Sequence, residues 1–165
     1  MTTERLIALL GAAIDEFYLR DRYLVDLDVN ERTCVARIAH YLQNLLDKDP
    51  IWHDISVDCE YNRQTEEIPP ENKSTKRCKR TPQASRGIFP DLIVHCRGKN
   101  DRNLLVAEFK KGGTQYEKDG REKDKKIIHE LMDAPDKHYW CGVYIVLGNQ
   151  GATFEKITSR TRSTK

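Results

Sequence analysis

The N-terminal part of the chain carries apolar side chains at helical spacing. Residues 4–19 repeat apolar positions three and four residues apart, which predicts an amphipathic helix with one buried stripe. A second stripe of the same kind follows Asn30, a residue that favours the N-cap, and ends at Asp49-Pro50. We therefore predict two helices, and the second has Glu31 in its first turn.

The middle of the chain changes to the periodicity of strands. Apolar and polar residues alternate from Trp52 to Asn62, which predicts a strand with one polar face. In two further runs, Ile88–Cys96 and Asn103–Lys110, apolar residues occupy both parities, as in central strands that are covered on both faces. The short polar segment 97–102 between these runs predicts the turn of an antiparallel hairpin.

The C-terminal part continues to alternate between helix and strand. It predicts a charged helix at 117–132, a buried strand at 139–147, a short edge strand at 152–157 and a frayed tail at 159–165. A chain of 165 residues has the length of one ordinary domain. We therefore predict a single domain, 1–165, of the α/β class, with a mixed central sheet flanked by helices.

Residues 63–86 differ in composition from the rest of the chain. They contain almost no large apolar side chain, include Pro69-Pro70 and exceed the length of ordinary connections, so we predict a mobile loop that is functional, disordered without substrate, or both. Residues 71–86 of this loop have one acid, Glu71, and six basic residues: Lys73, Lys76, Arg77, Lys79, Arg80 and Arg86. Such a charge run is either a solvated surface or a segment that contacts phosphates.

Several classes of function find no support in the sequence. Its apolar runs are far too short to span a bilayer and its N-terminus has no signal-peptide pattern, so we expect a cytoplasmic protein without a membrane partner. The five cysteines have no pairing or metal-binding spacing, which favours reduced thiols. Motifs for zinc, nucleotide phosphates and serine hydrolases do not occur, and the net charge of +2 carries little information.

Three charged residues stand in the runs that predict central strands. They are Asp91, Glu108 and Lys110. A two-residue loop at Lys99-Asn100 would pair Asp91 directly with Glu108, and Lys110 would project from the same face as Glu108. Two adjacent carboxylates favour a shared proton or a bound cation such as Mg²⁺ or Mn²⁺. The alternative is an ordinary ion pair at a sheet edge.

The spacing of Pro90-Asp91 and Glu108-Phe109-Lys110 resembles the motif of the PD-(D/E)XK nuclease superfamily, which includes restriction endonucleases and Holliday junction resolvases. The predicted element order over about residues 28–148 is similar to the restriction-endonuclease-like α-β-β-β-α-β core of that superfamily. Glu31 matches an additional acid of the resolvase-like branch. Residues 59–63, together with the two strand motifs, also resemble a group of small bacterial proteins of the superfamily. The long basic insertion departs from the resolvase pattern.

The resemblance implies metal-dependent hydrolysis of phosphodiester bonds in nucleic acid. We expect DNA rather than RNA as the substrate, although no feature of the sequence itself chooses between them. Asp91 and Glu108 would hold one or two Mg²⁺ ions, with Mn²⁺ as the other candidate. Lys110 would orient the attacking water or stabilise charge on the phosphate, and Glu31 would contact the metal through water.

We expect a homodimer or a partner protein as a further possibility. Contacts with the nucleic-acid backbone would come from seven basic residues. These residues are Arg63, Lys76, Arg77, Lys79, Arg80, Arg86 and Lys111. Tyr61 and Tyr116 are candidate stacking groups, whereas Glu60 and Arg63 either border the metal site or belong to the polar face of a strand. Two alternatives remain open at this point: a nucleic-acid-binding module without turnover, and a regulatory subunit with a nuclease-like fold.

Overall fold

The computed structural model describes residues 2–60, 89–99, 101–112, 117–134 and 139–159, and for 117–119 only the backbone. Most of the proposed nucleic-acid contacts therefore lie outside the described residues, together with the predicted loop 63–86 and nearly all of the predicted tail. The residues concerned are Tyr61, Arg63, Lys73, Lys76, Arg77, Lys79, Arg80, Arg86 and Tyr116. Ser159, at the start of that tail, is buried, and its hydroxyl donates to Asp133 Oδ1 at 2.6 Å.

Four α-helices form in the described segments: α1 (Thr3–Arg20), α2 (Tyr23–Asp26), α3 (Glu31–Leu46) and α4 (Glu117–Asp133). The helices predicted at 4–19, after Asn30 and at 117–132 are confirmed, whereas the one-turn helix α2 was not predicted. The side chain of Asn30 caps α3 by accepting from the backbone N–H of Arg32 at 2.9 Å. None of the described helices is long and apolar enough to cross a membrane.

Five strands form one sheet in the order β1-β2-β3-β4-β5: β1 (Ser56–Cys59), β2 (Leu92–His95), β3 (Asn103–Lys111), β4 (Cys141–Gly148) and β5 (Gly151–Ile157). The pair β3–β4 is parallel and the other three pairs are antiparallel, so the sheet is mixed, as predicted. The strand predicted at 52–62 is shorter than expected. Trp52, the first residue of the predicted strand, instead ends a 3₁₀ turn, Pro50–Trp52, and its side chain is buried.

Helices cover both faces of the sheet. On one face α1 and α3 bury side chains such as Phe17 and Leu42 against Val94 and Phe109. On the other face α4 packs against alternate residues of the same strands: Ile93, Val106, Tyr144 and Ile157. The prediction that the central strands are buried on both faces is therefore confirmed.

The register of the hairpin β2–β3 fixes which strand residues meet. Leu92 pairs with Ala107 and Val94 with Leu105, and one further step along this register places Asp91 opposite Glu108, as predicted. Near the turn, however, His95 pairs with Asn103, and the register shifts between Val94 and His95. The two-residue loop expected at Lys99-Asn100 is therefore not what sets the register. A β-bulge corrects it by one position before the strands reach Asp91.

Candidate active site at the end of the central strands

Asp91 and Glu108 lie together on the α4 face of the sheet, where β2 begins and β3 approaches its end. The Asp91 carboxylate accepts a hydrogen bond from the backbone N–H of Phe109 at 2.8 Å. The pairing of β2 with β3 begins at the next residue, Leu92. Glu108 is 4% exposed, and its carboxyl group is hydrogen-bonded to that of Asp91. Two carboxyl groups are thus held in direct contact.

Lys110 projects from the same face of β3 and lies between two further acids. Its Nζ is 3.4 Å from Glu31 Oε1 and 3.3 Å from Asp124 Oδ2. Glu31 reaches β3 from the first turn of α3, and its other oxygen accepts from the backbone N–H of Lys111 at 3.1 Å. The acid predicted from the sequence on α3 therefore joins the strand residues through Lys110.

Asp124 is a member of the cluster that the sequence analysis missed. It lies on α4, is 8% exposed, and stands one turn before Ile128, which α4 buries against the sheet. A carboxylate at an inward-facing position of an amphipathic helix was the available signal, since such a position is normally apolar. The abundance of charge elsewhere on α4 concealed it.

A close approach between α4 and the sheet brings Asp124 to the site. At Gly142 of β4 an added Cβ would lie 2.1 Å from Ile128 Cγ2 and 2.6 Å from Met132 Sδ. Only a residue without a side chain allows α4 to pack at this depth. Asp124 lies one turn before Ile128 on this helix, and it contacts Lys110.

The carboxyl groups of Glu108 and Asp91 are harder to ionise than usual. Burial, followed by the nearby charges of Asp91 and Asp124, raises the pKa of Glu108 well above its ordinary value. Burial also raises the pKa of Asp91, although the N–H of Phe109 and the charge of Lys110 partly oppose this effect. The hydrogen bond between the two carboxyl groups acts on them in opposite directions, since it raises the pKa of Glu108 and lowers that of Asp91.

Acidic groups outnumber basic groups around Lys110. Burial raises the pKa of Glu31, and the charge of Lys110 opposes the rise. For Lys110, burial alone would lower the pKa, but Glu31, Asp124 and Asp91 outweigh burial and raise it. Lys110 is therefore a permanent cation among four acids.

The residues of the site fit a divalent cation in one respect. Glu108 Oε1 is buried and has no hydrogen-bond partner among the described residues. A buried carboxylate oxygen without a donor is costly, and a cation such as Mg²⁺ or Mn²⁺ would satisfy it. No group of three or more His, Cys, Asp or Glu side chains in the described ranges has a geometry ready to hold a metal. The predicted pair, Asp91 and Glu108, is thus the available ligand set.

Lys111, which the sequence analysis assigned to the nucleic-acid backbone, and Glu60, a candidate neighbour of the metal site, both form ion pairs within the protein. Lys111 Nζ forms an ion pair with Asp28 and donates to the carbonyl oxygen of Val29 at 2.7 Å, and its side chain is mostly buried. This arrangement ties the end of β3 to the segment before α3. Glu60 pairs with Arg32 at 2.6 Å and lies near the site, but it does not reach the carboxylate pair.

A cleft of about 420 Å³ gives access to the carboxylates. Asp91 and Glu31 lie in its wall, and the other lining residues are Asn30, Arg32, Glu60 and Phe89. A larger cavity of about 1080 Å³ lies between the outer surfaces of α1 and α3. Its acids and bases are largely paired with each other, as in the contact of Arg37 with Asp21 at 2.8 Å. The smaller cleft is therefore the one that serves the candidate site.

Comparisons of the chain with protein-family models, with curated proteins and with solved structures found no match. The chemistry of the site is therefore inferred from its own residues. The site combines two contacting carboxyl groups with a lysine that pairs with two further acids, and a cleft reaches it at Asp91 and Glu31.

Proposed function

We propose that the protein is a metal-dependent nuclease that hydrolyses phosphodiester bonds in nucleic acid, with DNA as the expected substrate. The element order α3-β1-β2-β3-α4-β4 is consistent with the α-β-β-β-α-β core of the PD-(D/E)XK superfamily, and we propose that core for this chain. Asp91, Glu108 and Lys110 stand at the positions of that motif.

One observation carries the proposal. Asp91 and Glu108 are forced into contact at the end of two central strands, and a buried oxygen of Glu108 lacks a donor in the described structure. When both groups are ionised, their repulsion destabilises the fold. Asp91 and Glu108 would hold a divalent cation, which would offset the repulsion and satisfy the unpaired oxygen.

The roles of the remaining residues follow from their contacts. A bound Mg²⁺ or Mn²⁺ would supply Lewis-acid chemistry for attack of water on the phosphodiester. Lys110 projects from the same face of β3 as Glu108 and would stabilise negative charge on the phosphate oxygens. Glu31 and Asp124 each form an ion pair with the ammonium group of Lys110, and they would act as its positioning residues.

A cleavage assay tests this function. Purified protein is incubated with single-stranded and duplex DNA and with RNA, in Mg²⁺, in Mn²⁺ and in EDTA. We expect cleavage with either metal and none in EDTA. Absence of cleavage on every substrate, at protein concentrations that bind the substrate, would contradict the proposal and favour a binding module without turnover.

We also propose that basic residues of the segment 63–86 contact the nucleic-acid backbone. Each phosphate contact that is lost should lower the log–log salt slope of binding by about 0.7 to 0.9. Neutralising Lys76, Arg77, Lys79 and Arg80 together should therefore flatten the slope by up to about three units. An unchanged slope would show that these charges are only a solvated surface.

A further inference from the structure

The cleft that leads to Asp91 contains an aromatic side chain exposed to solvent. Phe89 is 48% exposed and lines the same cleft as Asp91 and Glu31. Single exposed apolar residues are common on protein surfaces, so exposure alone carries no meaning. The position is what matters, because Phe89 lies two residues before Asp91 and the buried Pro90 between them fixes its place.

The same cleft contains one cation among its described lining residues, Arg32. Its side chain is 76% exposed, and its guanidinium forms an ion pair with Glu60 at 2.6 Å. An exposed ion pair of this kind contributes little, about 0 to 1 kcal/mol, so an incoming phosphate can compete for Arg32. Arg32 also follows Glu31 in the first turn of α3, where the helix dipole favours an anion.

The cleft is also where the basic segment begins and ends. Glu60, the last described residue before that segment, and Phe89, the first described residue after it, both line the cleft. A hydrogen bond of 3.3 Å from the backbone N–H of Glu60 to the carbonyl oxygen of Asp91 joins the two described stretches of chain at this point. The described chain therefore stops and resumes next to Phe89 and Arg32.

These three features define how a nucleotide would be held. Arg32 offers a contact for a flanking phosphate, Phe89 offers a flat apolar face for a base, and Asp91 marks the scissile bond. A base inside a duplex has both faces covered by its neighbours, whereas an unpaired base can stack on an aromatic side chain. The cleft volume of about 420 Å³ is at the lower end of the range for small-ligand sites, which suits one nucleotide at a time.

We propose that the site takes an unpaired polynucleotide strand, either a single strand or the splayed end of a duplex, and that Phe89 stacks on a base next to the scissile phosphate while Arg32 contacts a neighbouring phosphate. This inference rests on the proposed nuclease function and adds the class of substrate to it. The stacking face serves DNA and RNA alike, and separate oligonucleotides distinguish the two.

The test measures equilibrium binding by fluorescence anisotropy, with Ca²⁺ in place of Mg²⁺ so that binding is read without turnover. The probes are labelled single-stranded DNA, single-stranded RNA and a blunt DNA hairpin of equal length, in which a non-nucleotide linker replaces the loop so that all bases are paired. The variants are Phe89→Ala, Phe89→Trp and Arg32→Ala. Phe154→Ala is the matched control, because Phe154 is 44% exposed on β5 and lines a different cleft.

We expect the wild-type protein to bind single strands at least about tenfold more tightly than the hairpin. Phe89→Ala should weaken single-strand binding by about 5- to 150-fold, the loss of one base stack, whereas Phe89→Trp should preserve it. Arg32→Ala should lower the single-strand salt slope by about 0.7. Phe154→Ala should change neither quantity, and a melting scan of each variant checks that the fold is intact.

Two results would overturn the inference: equal effects of Phe89→Ala and Phe154→Ala, or equal losses of hairpin and single-strand binding in Phe89→Ala. Failure of the nuclease function gives a different pattern. Cleavage that depends on Asp91 but prefers the hairpin overturns only the unpaired substrate. Single-strand binding that depends on Phe89, without any cleavage that depends on Asp91, overturns only the hydrolysis and leaves the unpaired strand as the ligand.

Discussion

Two groups of buried or half-buried acids lie on the same sheet, and they differ in how their charge is balanced. The first, which we name the β1 cluster, contains Asp54, Asp58, His95, Arg97 and Arg102. Asp58 accepts from His95 Nε2 at 2.8 Å and pairs with Arg97 Nη2 at 2.5 Å, while Asp54 pairs with Arg102. Burial alone would raise the pKa of Asp58, but the hydrogen bonds from Arg97 and His95 outweigh it, and the pKa is lowered.

The candidate site has the opposite balance. Within the described part of the chain, Glu31, Asp91, Glu108 and Asp124 surround the single ammonium group of Lys110. The pKa values of the first three are raised, with burial as the largest cause. The same residue types in the same sheet thus give two outcomes. Each acid of the β1 cluster is paired with a basic side chain, although Asp54 Oδ1 also lacks a hydrogen-bond partner in the described structure. The candidate site has more acids than cations, and this excess is what a proton or a bound cation would balance.

The largest expected effect comes from removing one carboxylate of the site. Asp91→Asn or Glu108→Gln should each lower Mg²⁺-dependent cleavage by at least about 100-fold, because a ligand of the cation is lost. Initial rates on the best substrate of the panel provide the measurement. Asp58→Asn is the matched control from the β1 cluster and should keep most of the activity at a temperature where it is folded. Normal rates in Asp91→Asn would remove that residue from the mechanism.

A smaller effect is expected for the acids that hold Lys110. Asp124→Asn and Glu31→Gln should each lower turnover by about 10- to 100-fold, the usual cost of removing a group that orients a functional residue. The loss should fall on kcat with little change in KM, and Asp124→Glu should restore part of it. If Asp124→Asn instead changes only the melting temperature, Asp124 is a structural partner of Lys110 and not a positioning residue.

Much of the fold was predictable because periodicity reports burial directly. The stripes of α1, α3 and α4 and the doubly apolar runs of β2 and β3 led to the correct elements and to the mixed sheet. The one-turn helix α2 was not predictable in this way, since a helix of four residues is shorter than the period of the pattern. The β1 strand was overestimated because alternation continues into the 3₁₀ turn.

The site was predictable only where local geometry determines contact. Asp91, Glu108 and Lys110 follow from alternation and register along two adjacent strands. The register at Asp91 was predicted correctly, but from an incorrect position of the turn. No sequence signal marked the bulge between Val94 and His95. Asp124 depends on how deeply α4 packs at Gly142, a tertiary property that no short pattern encodes.

Stability should respond in opposite directions to changes in the two groups of acids. Asp58→Asn removes the carboxylate that pairs with Arg97 and the buried His95, and it should lower the melting temperature by about 3 to 6 °C. Glu108→Gln removes a group that repels its neighbours, so the metal-free protein should melt about 2 to 4 °C higher at pH 8. Differential scanning fluorimetry in EDTA measures both. A lower melting temperature for Glu108→Gln would contradict the assignment of unbalanced charge to the site.

The smallest effect is the pH dependence of the metal-free protein, where the two groups should produce two separate limbs. Glu108 has a pKa of 4.5 when exposed and a higher one in the fold. As the pH rises above 4.5, the unfolded chain therefore loses this proton first, and stability falls until the folded pKa is passed. Asp58 has a pKa of 3.8 when exposed and a lower one in the fold, so its contribution is present above 3.8 and is lost as the pH falls.

Stability of the wild-type protein should therefore be greatest in weakly acidic solution and decline by a few degrees towards both sides. Glu108→Gln should flatten the decline at high pH only, and Asp58→Asn should flatten the decline at low pH only. Mg²⁺ should raise the melting temperature at high pH, since Asp91 and Glu108 would hold a cation only when both are deprotonated. Melting temperatures from pH 3 to pH 9, with Mg²⁺ or EDTA, provide the measurement. If Mg²⁺ has the same effect on Glu108→Gln as on the wild-type protein, the cation binds elsewhere and Glu108 is not its ligand.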